Sequence, residues 1–367
     1  MQLVTKSGAY VLCGVVVGAR VLHRMRVVDL FAGLGGMSCG AIEAGADVVL
    51  AVDSDPAPLK VLGANAPQTT IIVATLGEGR DEVSLPPAAP DLHVHLSTPC
   101  TELSVARRGP NPGTTGGLQM IRWAVSLALG RNDRSWSIEN VSTKATRTLM
   151  TELVAAHPKR VAFGVFDSAD FGAPQSRRRL VAGPPKLIRM LHSIPCARHV
   201  SVRDAFESAG KELPAAYCKN QTRSQNGGPT MRRVETQSFT VCAGHALTWC
   251  DADGKTVSVM TARDSAILMG FPLTWTLPKG SRAAQRAVGN AMCVALSKAI
   301  VLAAIAVRKG DAAVSAATIA VPEAPAPPPP PTKKRPAFEL SHRQYRRLRR
   351  RVEALERMAT PLDNHSI

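Results

Sequence analysis

At residues 27–36 the chain reads VVDLFAGLGG, an apolar segment followed at once by a glycine-rich turn. The apolar residues 27–31 predict a buried β-strand, and the glycines that follow predict a tight turn. A helix over residues 38–44 and a second strand over residues 48–52 continue the pattern. This order opens a βαβ unit and so predicts a parallel sheet.

The same alternation continues along the chain. We predict further strands over residues 71–74, 91–96, 136–139 and 161–166, and helices over residues 118–129, 146–157 and 262–268, with another helix from about residue 290. The predicted fold class is therefore α/β, with a twisted, mainly parallel, Rossmann-like sheet.

Changes in composition divide the chain into segments. Scattered Pro, Gly, Arg, Asn and Gln interrupt the rhythm after residue 186 and indicate a smaller inserted region. We predict an N-terminal extension over residues 1–24, a catalytic domain over 25–186 and 285–308, an inserted region over 187–284, an Ala/Pro-rich linker over 309–331 and a basic tail over 332–367. The tail is expected to be disordered or helical. It either attaches to DNA or directs the chain to the nucleus, or it is a solubilising extension.

The charge of the chain indicates a polyanionic partner. Its 367 residues include 45 Lys and Arg against 28 Asp and Glu, which gives a net charge of +17. Nucleic acid is the simplest partner for such an excess, and a solvated basic surface is the alternative. No apolar run reaches transmembrane length, and we interpret the short apolar residues 10–17 as a peripheral strand or a frayed leader.

The 8 cysteines include no C-x-x-C pair, so neither a zinc site nor a disulfide framework is predicted, and an intracellular location fits best. Cys100 differs from the others because it follows Pro99 directly after a predicted strand. That position lies at the carboxyl edge of the sheet, where open α/β sheets bind ligands. A free cysteine is nevertheless more often an inert buried residue than a nucleophile.

The glycine-rich turn is a candidate cofactor site. Asp53, at the end of the second strand, occupies the position from which a carboxylate binds ribose hydroxyls. Ser38 stands where a dinucleotide fingerprint requires glycine, which favours a nucleoside cofactor without a pyrophosphate. A plain structural turn is the alternative.

Two polar segments add candidate catalytic groups. Glu139 ends a predicted strand, and residues 175–179 read QSRRR. If these five residues form a strand, Gln175, Arg177 and Arg179 share one face and two guanidinium groups point to one place. Taken singly, the carboxylate also fits a solvated residue, and the arginines also fit a basic surface.

In their order along the chain, these motifs resemble those of the DNA cytosine-5 methyltransferases. The matching segments are DLFAGLGG at 29–36, PC at 99–100, ENV at 139–141, QSRRR at 175–179, RD at 263–264, GFP at 270–272 and GN at 289–290. The resemblance implies a class I methyltransferase fold that uses S-adenosylmethionine to methylate carbon 5 of a flipped-out cytosine in double-stranded DNA. It also implies a monomer without metal or membrane, located in the nucleus of a eukaryote or virus-infected cell, or in the bacterial cytoplasm or nucleoid.

The resemblance assigns a role to each catalytic residue. Cys100 is the nucleophile that adds to carbon 6 of cytosine. Glu139 contacts N3 and the exocyclic amine, and Arg179 contacts O2. Arg177 braces the catalytic loop or a phosphate, and positive charge from either arginine is expected to favour the Cys100 thiolate.

The resemblance also assigns binding residues and makes residues 187–284 the target-recognition region. The implied cofactor residues are Phe31, Ala32, Gly33, Leu34, Gly35, Asp53, Pro99 and Asn290. The predicted DNA contacts are Gln175, Arg223, Gln225, Arg232 and Arg233, of which most are expected to touch phosphate rather than bases.

Four positions depart from the family pattern. Thr101 replaces the common glutamine after the Pro-Cys pair, and Ser54 replaces a bulky residue after the ribose-binding acid. The aspartate expected near residues 74–79 is missing, with Glu78 the nearest carboxylate, and Asp264 replaces a glutamate. Two alternatives remain at this point: an RNA cytosine-5 methyltransferase and a catalytically silent methyltransferase-like protein that binds DNA.

Overall fold

The computed structural model describes residues 24–104, 115–223 and 229–310, and the side chains of residues 221–229 are not described. Several predictions therefore lie outside the described residues. They concern almost all of the N-terminal extension and of the linker, the whole basic tail, Gln225 and the side chain of Arg223.

Eleven strands and nine α-helices alternate along the described residues. The strands are β1 Arg26–Leu30, β2 Asp47–Asp53, β3 Thr70–Val73, β4 Leu92–Ser97, β5 Ser135–Val141, β6 Ala162–Asp167, β7 Arg178–Gly183, β8 Tyr217–Arg223, β9 Pro229–Arg233, β10 Thr248–Cys250 and β11 Thr256–Val259. The helices are α1 Gly36–Glu43, α2 Pro56–Asn65, α3 Thr115–Arg131, α4 Lys144–Ala156, α5 Pro185–Ser193, α6 Val202–Ser208, α7 Ala262–Leu268, α8 Ser281–Asn290 and α9 Val294–Lys309.

The larger of the two sheets has seven strands in the order β3-β2-β1-β4-β5-β7-β6. We call this sheet, together with the helices that pack on it, the large unit. Strands β3, β2, β1, β4 and β5 pair in parallel, which confirms the predicted α/β fold class. Strand β7 pairs antiparallel with both β5 and β6. It begins only at Arg178, so residues 175–179 do not form one strand and the alternation considered for them does not apply.

Helix α1 packs against α9, and the glycines of α1 allow the close contact. A Cβ atom at Gly36 would collide with the backbone of Met292, and one at Gly40 would lie 2.5 Å from the Ser297 Cβ. Helix α9, the last described helix, therefore packs closely on α1, the helix of the first βαβ unit. The stretch Ser281–Lys309, which contains α8 and α9, is long and apolar enough to cross a membrane, but most of it is buried in this core.

The inserted region contains a four-stranded sheet, β11-β10-β8-β9, that the sequence did not predict. Helix α5 also lies within the predicted inserted region, but it packs against α9, with Leu187 and Ile188 in the core of the large unit. It therefore packs with the helices of the larger sheet. The helix predicted to begin near residue 290 is also corrected, because α8 ends at Asn290 and α9 begins at Val294.

A buried row of imidazole and hydroxyl groups joins β4 to β5. The His93 ring lies between the hydroxyls of Ser135 (2.7 Å) and Ser137 (2.9 Å), and the His95 ring lies between Ser137 (2.7 Å) and Ser97 (2.9 Å). Burial lowers the pKa of each histidine to about 3, so both rings are neutral at physiological pH. These histidines are structural residues of the sheet.

Candidate active site

The carboxyl ends of three neighbouring strands bring the predicted catalytic segments together. Leu30 of β1 lies opposite Leu96 of β4, and Ser97 of β4 lies opposite Glu139 of β5. Because parallel strands end at the same edge, the glycine-rich turn, the Pro-Cys segment and the Glu-Asn-Val segment start from one edge of the sheet.

A tight turn after β4 positions Cys100. Asn140 Nδ2 donates to the Thr98 carbonyl oxygen at 3.0 Å and to its hydroxyl oxygen at 2.9 Å. The Cys100 carbonyl oxygen accepts hydrogen bonds from the amides of Leu103 (3.0 Å) and Ser104 (2.9 Å). These bonds fix the backbone on both sides of Cys100, whose side chain is half-buried.

An ion pair joins β5 to β7 at this edge. Arg179 Nε lies 2.9 Å from Glu139 Oε1, and the two side chains are only 13% and 11% exposed. Charges are seldom taken this far out of water unless they are paired. The pair therefore places a fixed carboxylate and a fixed guanidinium in the electrostatic environment of Cys100.

The charges of this group act on the Cys100 thiol in opposite directions. Burial raises the pKa of Cys100 above its ordinary value and Glu139 raises it further, whereas Arg179 and Arg177 lower it. The sequence predicted that the arginines would favour the thiolate, but burial and Glu139 outweigh them. The resting group is therefore the thiol, which must lose its proton before it can attack.

Arg177 is a buried structural tie. Its guanidinium donates to the carbonyl oxygens of Val241 (2.7 Å), Gly289 (3.1 Å) and Ala291 (3.0 Å), which joins the β9–β10 loop and the end of α8 to the large sheet. Burial first, and then Arg179, lowers its pKa to about 10, so it remains protonated at neutral pH. The side chain is 4% exposed, which contradicts a phosphate contact and leaves the bracing role.

The turn after β1 contains three residues with left-handed backbone. Phe31 has φ 62°, Gly33 φ 51° and Gly35 φ 86°. A left-handed phenylalanine is strained, and such strain persists where a surrounding site holds it. Asp53 Oδ2 accepts a hydrogen bond from the Gly33 amide at 2.8 Å, so this carboxylate faces the turn and retains lone pairs for ligand hydroxyls.

Asp29 adds an unsatisfied acceptor at the same turn. Its Oδ2 accepts hydrogen bonds from the Ser38 amide (3.0 Å) and hydroxyl (2.6 Å). Its Oδ1 is buried and has no partner among the described residues. Burial raises the pKa of Asp29 to about 7. Asp29 is 0% exposed, so its established role is to hold Ser38 in the first turn of α1.

Part of the predicted cofactor turn faces protein instead. The Leu34 side chain is 1% exposed, and its carbonyl oxygen accepts a hydrogen bond from Trp275 Nε1 at 3.2 Å. A Cβ atom at Gly35 would lie 2.7 Å from the Leu62 side chain. The Leu34 side chain is therefore too buried to line a cofactor pocket, and Gly35 is required for packing.

The other predicted cofactor residues differ in exposure. Ala32 is buried and its amide donates to the Val52 carbonyl at 3.0 Å. Pro99 and Asn290 are exposed. Gly289 allows the end of α8 to press on the β9–β10 loop, because a Cβ atom there would collide with the backbone of Ala243.

Two of the predicted DNA contacts are structural residues. Gln175 is fully buried, where Nε2 donates to the Leu268 carbonyl at 2.8 Å and Oε1 accepts from the Val241 amide at 3.0 Å. Arg232 donates to the carbonyl oxygens of residues 237 (3.2 Å) and 238 (2.9 Å) and covers the Phe239 ring. Among the predicted DNA contacts whose side chains are described, Arg233 alone is exposed (70%), with its Nε 3.7 Å from Glu235 Oε2.

The positions that depart from the family pattern are mostly exposed. Thr101, Ser54 and Glu78 all lie at the surface. Asp264 is buried instead, and it caps α7 through the Thr261 amide at 2.9 Å and binds Lys211 at 2.9 Å. The shorter acid therefore has a complete structural role.

Two positioning residues were missed by the sequence reasoning. Asn140, described above, holds Thr98, and its place beside Glu139 in the ENV segment was the available signal. Glu102 accepts a hydrogen bond from the Gly117 amide at 2.8 Å, which ties the Cys100 turn to the start of α3. Its contact spans 15 residues, so no local pattern could reveal it.

The sequence matches known proteins over the large unit. Residues 25–183 match the C-5 cytosine-specific DNA methylase family. The Type II methyltransferase M.AquIA of Picosynechococcus sp. is 28% identical over 174 residues, which is 42% of this chain and 69% of that protein. M.NlaX of Neisseria lactamica, also a Type II methyltransferase, is 24% identical over 75% of this chain and 94% of its own length.

A solved structure has the same fold. It is a prophage-encoded E. coli protein described as a DNA modification methyltransferase, and it superposes with a TM-score of 0.56 at 16% identity. The match covers 78% of this chain and all of that one. At this identity the likeness concerns the fold alone.

Proposed function

We propose that this chain is a C-5 cytosine-specific DNA methylase in which Cys100, Glu139 and Arg179 form the active site that methylates DNA cytosine. The observation that carries the assignment is the buried Glu139–Arg179 ion pair, whose two charges both act on the Cys100 thiol. The methyl donor that the family requires is proposed to be S-adenosylmethionine.

Cys100 supplies the nucleophile. Its thiol loses a proton, the sulfur forms a bond to carbon 6 of cytosine, and the electron pair of the 5,6 double bond moves toward carbon 5 and the ring. Glu139 is assigned to N3 and the exocyclic amine of the base, and Arg179 to O2. There the two groups stabilise the charge that develops in the ring during the attack. After carbon 5 has accepted a methyl group, loss of its proton to water restores the double bond and expels the thiolate.

The turn after β1 fits the proposed cofactor. When bound, S-adenosylmethionine supplies the electrophilic methyl group that activated carbon 5 accepts. The Asp53 carboxylate is placed to accept hydrogen bonds from ribose hydroxyls. Strained Phe31 and exposed Asn290 and Pro99 complete the residues assigned to this site.

Double-stranded DNA is the proposed substrate. Its cytosine must leave the base stack to reach Cys100, which is half-buried in the turn after β4. The net charge of +17 supports a polyanionic partner. We propose that the enzyme acts as an intracellular monomer, in the nucleus or on the nucleoid. Thiolate addition and methyl transfer need no Lewis acid, so the proposed chemistry uses no metal.

A covalent trap tests the nucleophile. Duplex DNA containing 5-fluorocytosine should give a denaturation-resistant adduct with the wild type and S-adenosylmethionine, because fluorine at carbon 5 cannot leave as a proton does. Cys100→Ala should give none, whereas Cys242→Ala, which changes another half-buried thiol, should trap normally. Equal trapping by Cys100→Ala would refute the assignment. Stronger methylation of transfer RNA than of duplex DNA would instead favour an RNA methyltransferase.

The pH dependence of trapping tests the environment of Cys100. Because its pKa is raised, the thiolate fraction at neutral pH is small and should grow about tenfold per pH unit until the pH reaches that pKa. The rate of adduct formation in a single turnover should rise with it. A rate that is flat from pH 7 to about pH 9 would show that the bound state deprotonates the thiol before attack.

A further inference from the structure

Three side chains of types that commonly bind metals converge at the start of the connection between the two sheets. Asp170 belongs to the single 3-10 turn Ser168–Phe171 that follows β6, and Cys196 and His199 belong to the segment that links α5 to α6. The proposed methylation chemistry uses none of them.

The donor atoms of the three residues converge. Asp170 Oδ1 lies 3.6 Å from Cys196 Sγ and 3.1 Å from His199 Nε2, and Sγ lies 3.8 Å from Nε2. A tetrahedral zinc ion with ordinary bond lengths would separate the same atoms by about 3.6 Å (O to S), 3.4 Å (O to N) and 3.6 Å (S to N). Each observed distance lies within about 0.3 Å of these values.

The geometry favours a metal over a catalytic relay. In a nucleophilic relay the imidazole lies between its partners, with one ring nitrogen facing the nucleophile and the other facing the carboxylate. Here the same atom, His199 Nε2, faces both Cys196 Sγ and Asp170 Oδ1. Three donors that face one point are the arrangement of a metal site.

The backbone holds the group in place. The Ala197 amide donates to the Asp170 carbonyl oxygen at 2.7 Å, so the ligand-bearing segment is fixed against the 3-10 turn. Asp170 and His199 are about half exposed, and Cys196 is exposed. Solvent therefore reaches the point between the donors and can supply a further ligand.

We propose that Asp170, Cys196 and His199 bind one zinc ion, with water as the fourth ligand. A thiolate, an imidazole and a carboxylate suit zinc, whereas magnesium and calcium prefer oxygen ligands alone. The thiolate and the carboxylate neutralise the charge of the ion. Bound zinc clamps the connection between the two sheets to the turn that leads into Arg177.

The site escaped the sequence analysis because its ligands come from two elements. Cys196 and His199 are three residues apart, but Asp170 lies 26 residues before Cys196. No C-x-x-C pair marks the group, so only the packing of the connecting segment on the 3-10 turn brings the ligands together.

Metal binding by the full chain, purified without a polyhistidine tag, tests the proposal. The wild type should bind one equivalent of Co²⁺ with the visible absorption of tetrahedral coordination and a thiolate charge-transfer band, and Zn²⁺ should displace it. Cys196→Ser and His199→Gln should each lose both signals, because each removes a ligand. His157→Gln, which changes an exposed histidine at the end of α4, should bind cobalt as the wild type does.

Thermal unfolding supplies a second readout. Zinc should raise the Tm of the wild type and of His157→Gln, and a chelator should reverse the rise, because the ion binds only the folded arrangement. The Tm of Cys196→Ser should not respond to zinc. The proposal is overturned if the wild type binds no cobalt, or if Cys196→Ser keeps the charge-transfer band. Trapping of 5-fluorocytosine DNA is independent of either result.

Discussion

The edge of the large sheet and the surface of the small sheet use arginine in different ways. At the edge, Arg179 pairs with Glu139 beside the cysteine, so its charge is fixed where the chemistry takes place. In the small sheet, Arg232 binds two backbone carbonyls and covers an aromatic ring, while the adjacent Arg233 is exposed. An arginine that looks like a DNA contact in sequence is therefore as readily part of the packing.

The difference teaches where short motifs are informative. A motif that carries chemistry restricts both the residue type and its place at a strand end, so its members meet at one edge. A recognition surface asks only for exposed polar groups, and exposure is a property of packing. Four pairs of variants probe the two sheets, from the largest expected effect to the smallest.

Glu139→Gln should lower kcat by about 100- to 1,000-fold, because the amide cannot supply the proton or the charge of the carboxyl group. Glu235→Gln is the matched change on the small-sheet side, where the carboxylate pairs with Arg203 at the surface. It should leave kcat within about twofold of the wild type. Steady-state methyl incorporation at saturating DNA measures both. Equal losses would erase the distinction between the two regions.

Arg177→Met should lower the free energy of unfolding by about 3 kcal/mol, because it leaves buried carbonyl oxygens without their donor. Arg178→Met changes the exposed neighbour and should cost less than about 0.5 kcal/mol. Urea denaturation at neutral pH compares the two. If Arg177→Met is as stable as Arg178→Met, the tie between the loop and the sheet contributes little.

The histidines of the large sheet give its stability a pH dependence. Both have a pKa of about 3 when folded, so unfolding takes up protons below pH 6.5 and stability falls with acid. Each should contribute a loss of about 1.4 kcal/mol per pH unit well below pH 6.5, ending near the folded pKa. Stability curves from pH 7 to pH 5 should flatten in His93→Gln. The curve of His157→Gln should keep its slope, and a wild-type curve without slope would contradict the buried neutral rings.

Arg232→Ala and Arg233→Ala divide structure from recognition within the small sheet. Arg232→Ala should cost about 1–2 kcal/mol of stability, because two carbonyl oxygens and a ring lose their partner. Arg233→Ala should be nearly neutral for stability, weaken DNA binding less than about tenfold and lower the salt slope by about one. DNA titration at several salt concentrations measures this. If Arg233→Ala leaves the salt slope unchanged, Arg233 does not contact DNA.

Particular elements show how far the sequence reached. The βαβ opening was predictable because apolar strands and left-handed glycines leave a local signature. Strand β7 was not predicted because its first residues, Arg178 and Arg179, are polar and because it pairs antiparallel with both of its neighbours. The strands of the small sheet escaped because Tyr217–Arg223 is mostly polar, and because Thr256–Val259 alternates over only four residues, all of them exposed.

The sequence by itself determined the α/β class and the candidates Cys100, Glu139 and Arg179, because the chemistry and the strand periodicity are written in short runs of residues. Tertiary structure alone decided that Arg177 and Gln175 are buried ties, that burial outweighs the arginines at Cys100, and that Asp170 meets Cys196 and His199. Burial and long-range contacts set hydrogen-bond partners and pKa values, and neither follows from the neighbours along the chain.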